Sequence, residues 1–313
     1  MIKKIYGQHT FCFTLLTILL SITAIILEKN FIFLNKSITS FGCLFLIISI
    51  GISHGAMDNY KGKKLLKIYK QSNLITFYII YILISVLVIL SWLLFASLTL
   101  LVFLLIASYH FGREDTSFLH KGNSYFDQFF YLIKGSLIVF SPLFFQTDET
   151  LKIFETLFLN EKVLFFLSDQ HWIINICIGF CILAYFYFVF KNKFKDYEIL
   201  FLDLFSILIL NYIFSPLIAF TIYFCFLHSV RHIVSISYEL NESSFSEGLR
   251  SFIKKALPLT ILTAFLYLLA VVFLSNTYGF NDVIIKVIFI GLASLTFPHI
   301  LLEYILEKNE KRT

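Results

Sequence analysis

Charge is scarce in this chain. Only 14% of its 313 residues are Asp, Glu, Lys or Arg, and the mean hydropathy is +0.84. A soluble domain carries about a quarter charged residues, so this composition excludes an ordinary water-soluble enzyme. The surplus of positive charge is only +5 and is spread along the sequence. It describes membrane topology and excludes a nucleic-acid surface. The five cysteines lie inside apolar segments and form no CxxC pair, which removes a thiolate zinc or redox motif. HExxH, GxSxG and P-loop patterns are missing as well, and with them an intramembrane metalloprotease, a nucleophile-elbow hydrolase and a nucleotide-binding loop. No internal repeat, low-complexity tail or soluble domain is visible. Alanine, glycine and proline are few while phenylalanine numbers 39. That drift runs through the whole chain, so aromatic richness alone marks no ligand site.

What the sequence does have is long apolar runs. Stretches of about 17–25 apolar residues, each able to cross some 30 Å of hydrocarbon, recur from end to end. We read an all-α, polytopic membrane helix bundle of about ten transmembrane helices, with residues 1–313 as one integral membrane domain. The spans fall near 11–27, 38–56, 74–95, 97–111, 125–146, 171–190, 198–214, 216–237, 252–274 and 283–306. The first follows Lys3 and Lys4 like a signal peptide but lacks a small-residue cleavage site, so it reads as a retained span. Residues 74–109 contain no Gly, Pro or charge. At 1.5 Å per residue they would run about 54 Å as one helix, so the segment is divided near Ser97. Pro216 suits the first turn of a new helix.

Basic residues test this count. Ten spans place eighteen Lys and Arg on the side that holds both termini, and four, Lys29, Lys36, Lys152 and Lys162, on the other. The positive-inside rule then predicts a bacterial inner-membrane protein with both termini in the cytoplasm.

Eight histidines are present. His9, His120 and His171 fall at span ends or loops, where solvated or interfacial roles are expected. His54, His110, His228, His232 and His299 fall in spans 2, 4, 8 and 10, all of which run toward the cytoplasm. Each lies past the midpoint of its span, so the five imidazoles can meet at one depth. Ionisable groups at membrane depth point to function, and imidazole is the commonest metal ligand. His228 and His232, spaced i and i+4, share one helical face.

Carboxylates follow closely. Asp58 comes four after His54, Asp115 five after His110, and Glu303 four after His299. A metal-bound histidine commonly donates its second ring N–H to such a partner, although rim charges would produce the same spacing. Asp203 sits alone within "ILFLDLFSIL" and requires a polar partner. Arg231 can be that partner, or can bind an anion. An all-imidazole set suits Fe, Zn, Cu or Ni better than Mg or Ca.

The stretches "SHGAMDNYKG", "YHFGRED", "HSVRH" and "FPHILLEY", in that order, resemble the Brp/Blh family of membrane carotenoid-cleaving dioxygenases from about residue 40 to about 306. Asn59 and Tyr60 depart from the more hydrophobic or histidine-bearing continuation expected after "HGAMD". The resemblance implies O2-dependent cleavage of β-carotene at its central 15,15′ double bond, giving two retinal molecules. It implies Fe(2+) bound by His54, His110, His228 and His232, and leaves His299 open as a further site residue. Asp58, Asp203 and Arg231 would support these ligands. Tyr109, Phe111, Phe224, Phe226 and Phe297 are candidates to line a polyene channel, or simply lipid-facing or core aromatics. The partners implied are a membrane-dissolved carotenoid, O2, the lipid bilayer and a rhodopsin-type protein receiving retinal. Three readings from other classes stand beside this one, among them a membrane haem protein with bis-His ligation, which the absence of a Soret band would remove. A di-iron membrane desaturase or hydroxylase wants about eight clustered histidines, and a metal transporter favours broken helices and repeats.

Overall fold

A computed structural model describes residues 2–29, 36–53, 55–119, 122, 124–191 and 197–310. Among these no strand occurs, and the order is α1 (Ile2–Lys29), α2 (Lys36–Leu46), α3 (Asp58–Ile68), α4 (Leu74–Glu114), α5 (Tyr125–Phe145), α6 (Thr147–Thr156), α7 (Glu161–Asp169), α8 (His171–Lys191), α9 (Tyr197–Ile213), α10 (Pro216–Ile222), α11 (Val230–Leu240), α12 (Phe245–Leu274) and α13 (Phe280–Glu310). Two π-helical segments interrupt the pattern. Ile47–Gly51 continues α2, and Tyr223–Ser229 joins α10 to α11.

Eight helical stretches among the described residues are long and apolar enough to cross a membrane. Their outward side chains are apolar too. On α12, Leu257, Ile261, Phe265, Val272 and Phe273 are all exposed. A soluble surface does not carry a continuous patch of that kind, but a surface solvated by acyl chains does. The ten expected spans correspond to these eight with α4 counted twice and the 17-residue α9 added.

The 41 residues of α4 are not one rod. Phe95 leaves helical geometry (φ −138°, ψ 50°), two residues before the expected division. Ser91 Oγ and Thr99 Oγ1 are 2.8 Å apart, and the rings of Trp92 and Phe103 are 6.1 Å apart. A straight helix would separate those pairs by about 12 and 16 Å along its axis. The chain therefore doubles back at Phe95, and Tyr81 and His110, on opposite arms, arrive at the same end of the bundle. The bend is clamped from outside: Trp92 Nε1 donates to the Leu157 carbonyl (3.1 Å), and Asn160 N donates to Ser97 Oγ (2.8 Å).

The second arm of α4 crosses α5 at very short range. A Cβ on Gly112 would stand 1.8 Å from the Tyr131 carbonyl oxygen, and one on Gly135 1.6 Å from that of Ser108. Only glycine at both positions permits this approach, which carries Lys134 of α5 against the end of α4. Pro216 does occupy the first turn of α10, where its missing N–H costs nothing. The stretch 216–240 that follows is the most enclosed of the spans. It carries His228, Arg231 and His232 into the centre of the molecule.

Candidate metal centre

Four of the five singled-out histidines come together. His110 on α4 lies 5.5 Å from His228 and 5.4 Å from His299, centroid to centroid, and His299 lies 5.7 Å from His232. All four are buried. His54 lies outside the described residues, as does His120. His171 opens α8 and is exposed.

Local backbone geometry aims two of these rings. A π turn inserts one extra residue per turn and rotates the side chains that follow it, and such turns gather at functional sites. Here two of them meet. Ser229 Oγ, at the end of the segment that carries His228, donates to the carbonyl of Gly51 (2.9 Å), the last residue of the other segment. The π register also releases the Phe226 carbonyl, which His9 Nε2 meets at 2.8 Å. His9, expected at the interface, is thus part of the packing around the site.

Each of three rings is fixed by a carboxylate. His228 Nδ1 is 3.0 Å from Asp115 Oδ1, His232 Nδ1 is 3.2 Å from Glu114 Oε2, and His299 Nδ1 is 2.8 Å from Asp58 Oδ1. An ionised carboxylate only accepts, so Nδ1 carries the proton and Nε2 keeps the lone pair in each neutral ring. This is the arrangement that orients metal-ligating imidazoles. The spacing in sequence suggested different partners. Asp115, five after His110, serves His228, and Asp58, four after His54, serves His299. Tertiary packing overrides nearness along the chain because each carboxylate sits at a helix end and faces a neighbouring helix. Tyr81 and Tyr223 complete the set, donating to Asp58 (2.9 Å) and Asp115 (2.6 Å).

Glu303 stands at the centre, not at the rim. Its Oε1 is 3.5 Å from Nε2 of both His232 and His299, and its Oε2 is 3.9 Å from His110 Nδ1. Ligand atoms of His110, His299 and Glu303 all lie within 4.8 Å of one another, the one such set among the described residues. Lys61 donates to Glu303 Oε1, and its Nζ is 3.4 Å from His232 Nε2. Imidazole nitrogens with one carboxylate form a donor set that fits a divalent transition metal such as iron.

Asp203 finds its partner in Arg231. The guanidinium is bidentate on the carboxylate (2.6 and 2.7 Å), and its two Nη atoms also donate to Thr10 Oγ1 (2.7 Å) and the Asp115 carbonyl (3.2 Å). Lys134, which the sequence reading passed over, donates to the same Asp115 carbonyl (3.1 Å) and to Asp203 (3.3 Å). Two cations are thereby held out of solvent on one carboxylate, Asp203, and both also donate to the backbone of the residue that holds His228. A lone lysine inside "YLIKGSLIVF" was the available signal for Lys134.

Among the aromatics, Phe111 packs edge-on against His228 at 4.7 Å and Phe224 lies nearly parallel to it at 5.8 Å. Phe224 continues into Phe220 (5.4 Å) and Phe289 (5.3 Å from Phe220), forming an apolar wall beside the histidines. Phe226 and Phe297 are partly buried against the same core. Tyr109 turns away, toward Tyr131 and Gln128 in a second core.

The family described as beta-carotene 15,15'-dioxygenase matches residues 45–307. A curated relative from an uncultured marine bacterium, 66A03, named beta-carotene 15,15'-dioxygenase, is 29% identical over 274 residues, covering 86% of this chain and 94% of that protein. No solved structure matches the chain. The matched region contains every residue of the histidine cluster, and on that breadth of similarity the chain belongs to the beta-carotene 15,15'-dioxygenase family of carotenoid-cleaving enzymes.

Proposed function

We propose that the protein cleaves β-carotene at the central 15,15′ double bond with O2, giving two molecules of retinal. The site would be a ferrous centre held by His54, His110, His228 and His232, with His299 beside them. One observation carries this reading: buried imidazoles from α4, the α10–α11 stretch and α13 converge, three of them with Nδ1 tied to a carboxylate. A ferrous ion held here supplies the oxygen chemistry when bound.

The chain's own residues do the rest. Asp115, Glu114 and Asp58 hold the rings at Nδ1 and orient them. Helices packed around the cluster exclude water. Phe111 and Phe224 offer aromatic faces against which a conjugated polyene can be oriented. One C=C bond is broken and two C=O bonds are formed, so both atoms of O2 leave in product and no external acid or base is consumed. A carotenoid dissolved in the bilayer reaches such a site without crossing water.

With ten crossings and both termini in the cytoplasm, the cluster lies in the inner half of the inner membrane. A rod of about bilayer length cannot then stand upright with its middle at the cluster, so its channel runs tilted or curved. Retinal leaves sideways into lipid, within reach of a rhodopsin-type acceptor.

Expression in a β-carotene-producing bacterium tests the reading. Orange colour should fade as retinal accumulates, and ¹⁸O₂ should label every retinal once. A shorter or longer apocarotenal pair would move the cleavage off centre, and colour loss without O2 would remove the dioxygenase chemistry.

A further inference from the structure

One buried polar group in the interior of the bundle has no task in the site described above. Tyr267, on α12, is only 6% exposed, and among the described residues its hydroxyl meets no hydrogen-bond partner. A buried serine or threonine can turn its hydroxyl onto a carbonyl of its own helix, but a phenol holds its oxygen too far out for that. Phenylalanine would fill the same space without the cost of a buried, unmet hydroxyl. The backbone makes room for this oxygen all the same. A Cβ on Gly291 would stand 2.5 Å from both Cζ and Oη of Tyr267.

Gly291, Leu295 and His299 follow one another at i, i+4 and i+8 on α13, so they lie along one face. Tyr81, which donates to Asp58, also reaches the Leu295 carbonyl at 3.3 Å. The Tyr267 hydroxyl therefore abuts the face of α13 that carries His299, two turns or about 12 Å away along the axis. Half of a rod of about bilayer length is roughly 15 Å. A carotenoid with its central bond at the histidine cluster thus brings an end ring to the level of Tyr267. Lipid gives access there. α12 is the least enclosed of the membrane-crossing stretches, and it packs against α11, α13 and the π segment Ile47–Gly51 that is tied to Ser229.

We infer that Tyr267 recognises an oxygen carried on the end ring of a carotenoid, so that the substrates of this protein include ring-oxygenated carotenoids beside β-carotene. β-Carotene is a pure hydrocarbon and offers the phenol no acceptor. A hydroxyl or keto oxygen on the ring accepts from Tyr267 Oη, in a setting without water where that hydrogen bond discriminates between the two. The bond-breaking itself is the same. One C=C bond breaks, both atoms of O2 enter the products, and these are one retinal and one ring-oxygenated retinal. The inference rests on the carotenoid-cleavage reading and adds a contact far from the bond that is cut.

Full-length protein in detergent, wild type and Tyr267→Phe, is given β-carotene and, separately, its derivative hydroxylated on one end ring. In the phenylalanine variant, kcat/KM for the hydroxylated carotenoid relative to β-carotene should fall about 3–10-fold, the worth of one hydrogen bond. Binding of each carotenoid under argon, followed by quenching of tryptophan fluorescence, should show the same change in ratio with no turnover. The ligand-free variant should unfold at the wild-type temperature or above it, since no protein partner is lost. An unchanged ratio in both assays overturns the role of Tyr267. So does a variant that unfolds at a clearly lower temperature, because the hydroxyl would then serve the fold. Either result leaves carotenoid cleavage standing, whereas wild type that neither binds nor cleaves either carotenoid overturns both.

Discussion

Asp115 accepts from His228 Nδ1 at 3.0 Å, although 113 positions separate the two in the chain. The contact exists because α4 doubles back at Phe95 and the glycine crossing with α5 holds its end in place. Asp115 in turn is gripped by Tyr223 at its carboxylate and by Lys134 and Arg231 at its carbonyl. An ordered imidazole at the centre of a membrane bundle thus depends on charges carried by α5 and α11.

Replacing the carboxylates that orient the rings should weaken metal binding more than it weakens folding. Asp115→Asn and Asp58→Asn should each lower metal affinity about 10–100-fold, the usual scale for such partners. Competition against a chromophoric chelator measures this. Unchanged affinity in both variants would make these residues rim charges.

The paired charges behind Asp115 should behave differently. Arg231→Met leaves Asp203 buried with one cation fewer, at a cost of about 3–5 kcal/mol for a broken buried pair. Thermal unfolding in detergent should show a large loss for that variant. The triple variant Lys134→Met/Asp203→Leu/Arg231→Met should recover much of it, because Lys134 loses its charge together with the carboxylate it pairs with. Equal losses in the single and triple variants would show that packing, not charge, is what matters there.

The helix reversal at Phe95 can be trapped chemically. With the native cysteines removed, Ser91→Cys and Thr99→Cys should form a disulfide on mild oxidation, since the parent hydroxyls are 2.8 Å apart. Two residues on a continuous helix at that spacing stand about 12 Å apart along the axis and cannot be joined. Failure to crosslink would restore a single long helix.

Much of this architecture is readable from the sequence. Apolar run lengths declare the helical membrane bundle, and the excess length of 74–109 forces a division close to Phe95. Histidines past the midpoint of co-directed spans predict convergence, and His110, His228, His232 and His299 do converge. What spacing cannot reveal is how each helix is rotated. That rotation decides that Asp115 faces His228 and Asp58 faces His299, and that Glu303 points inward. The π segments are invisible for a related reason: "IISIG" and "YFCFLHS" carry no proline, and the Ser229–Gly51 contact that ties them together is a tertiary one.

That contact yields a further expectation. Ser229→Ala removes a buried hydrogen bond worth about 1 kcal/mol, a small change in stability. It also unties the two π segments, so metal affinity should fall while the unfolding temperature barely moves. A parallel loss of both would reduce Ser229 to ordinary packing.

The proposed function has the histidines hold one iron ion on which carotenoid cleavage depends. Iron per chain, measured beside retinal production for wild type and for His54→Ala, His110→Ala, His228→Ala and His232→Ala, tests it most directly. Wild type should hold one iron, and every variant should lose both iron and retinal, with double variants no worse than single ones because the ligands act as a unit. Near-normal iron and turnover in any two of the four would contradict it.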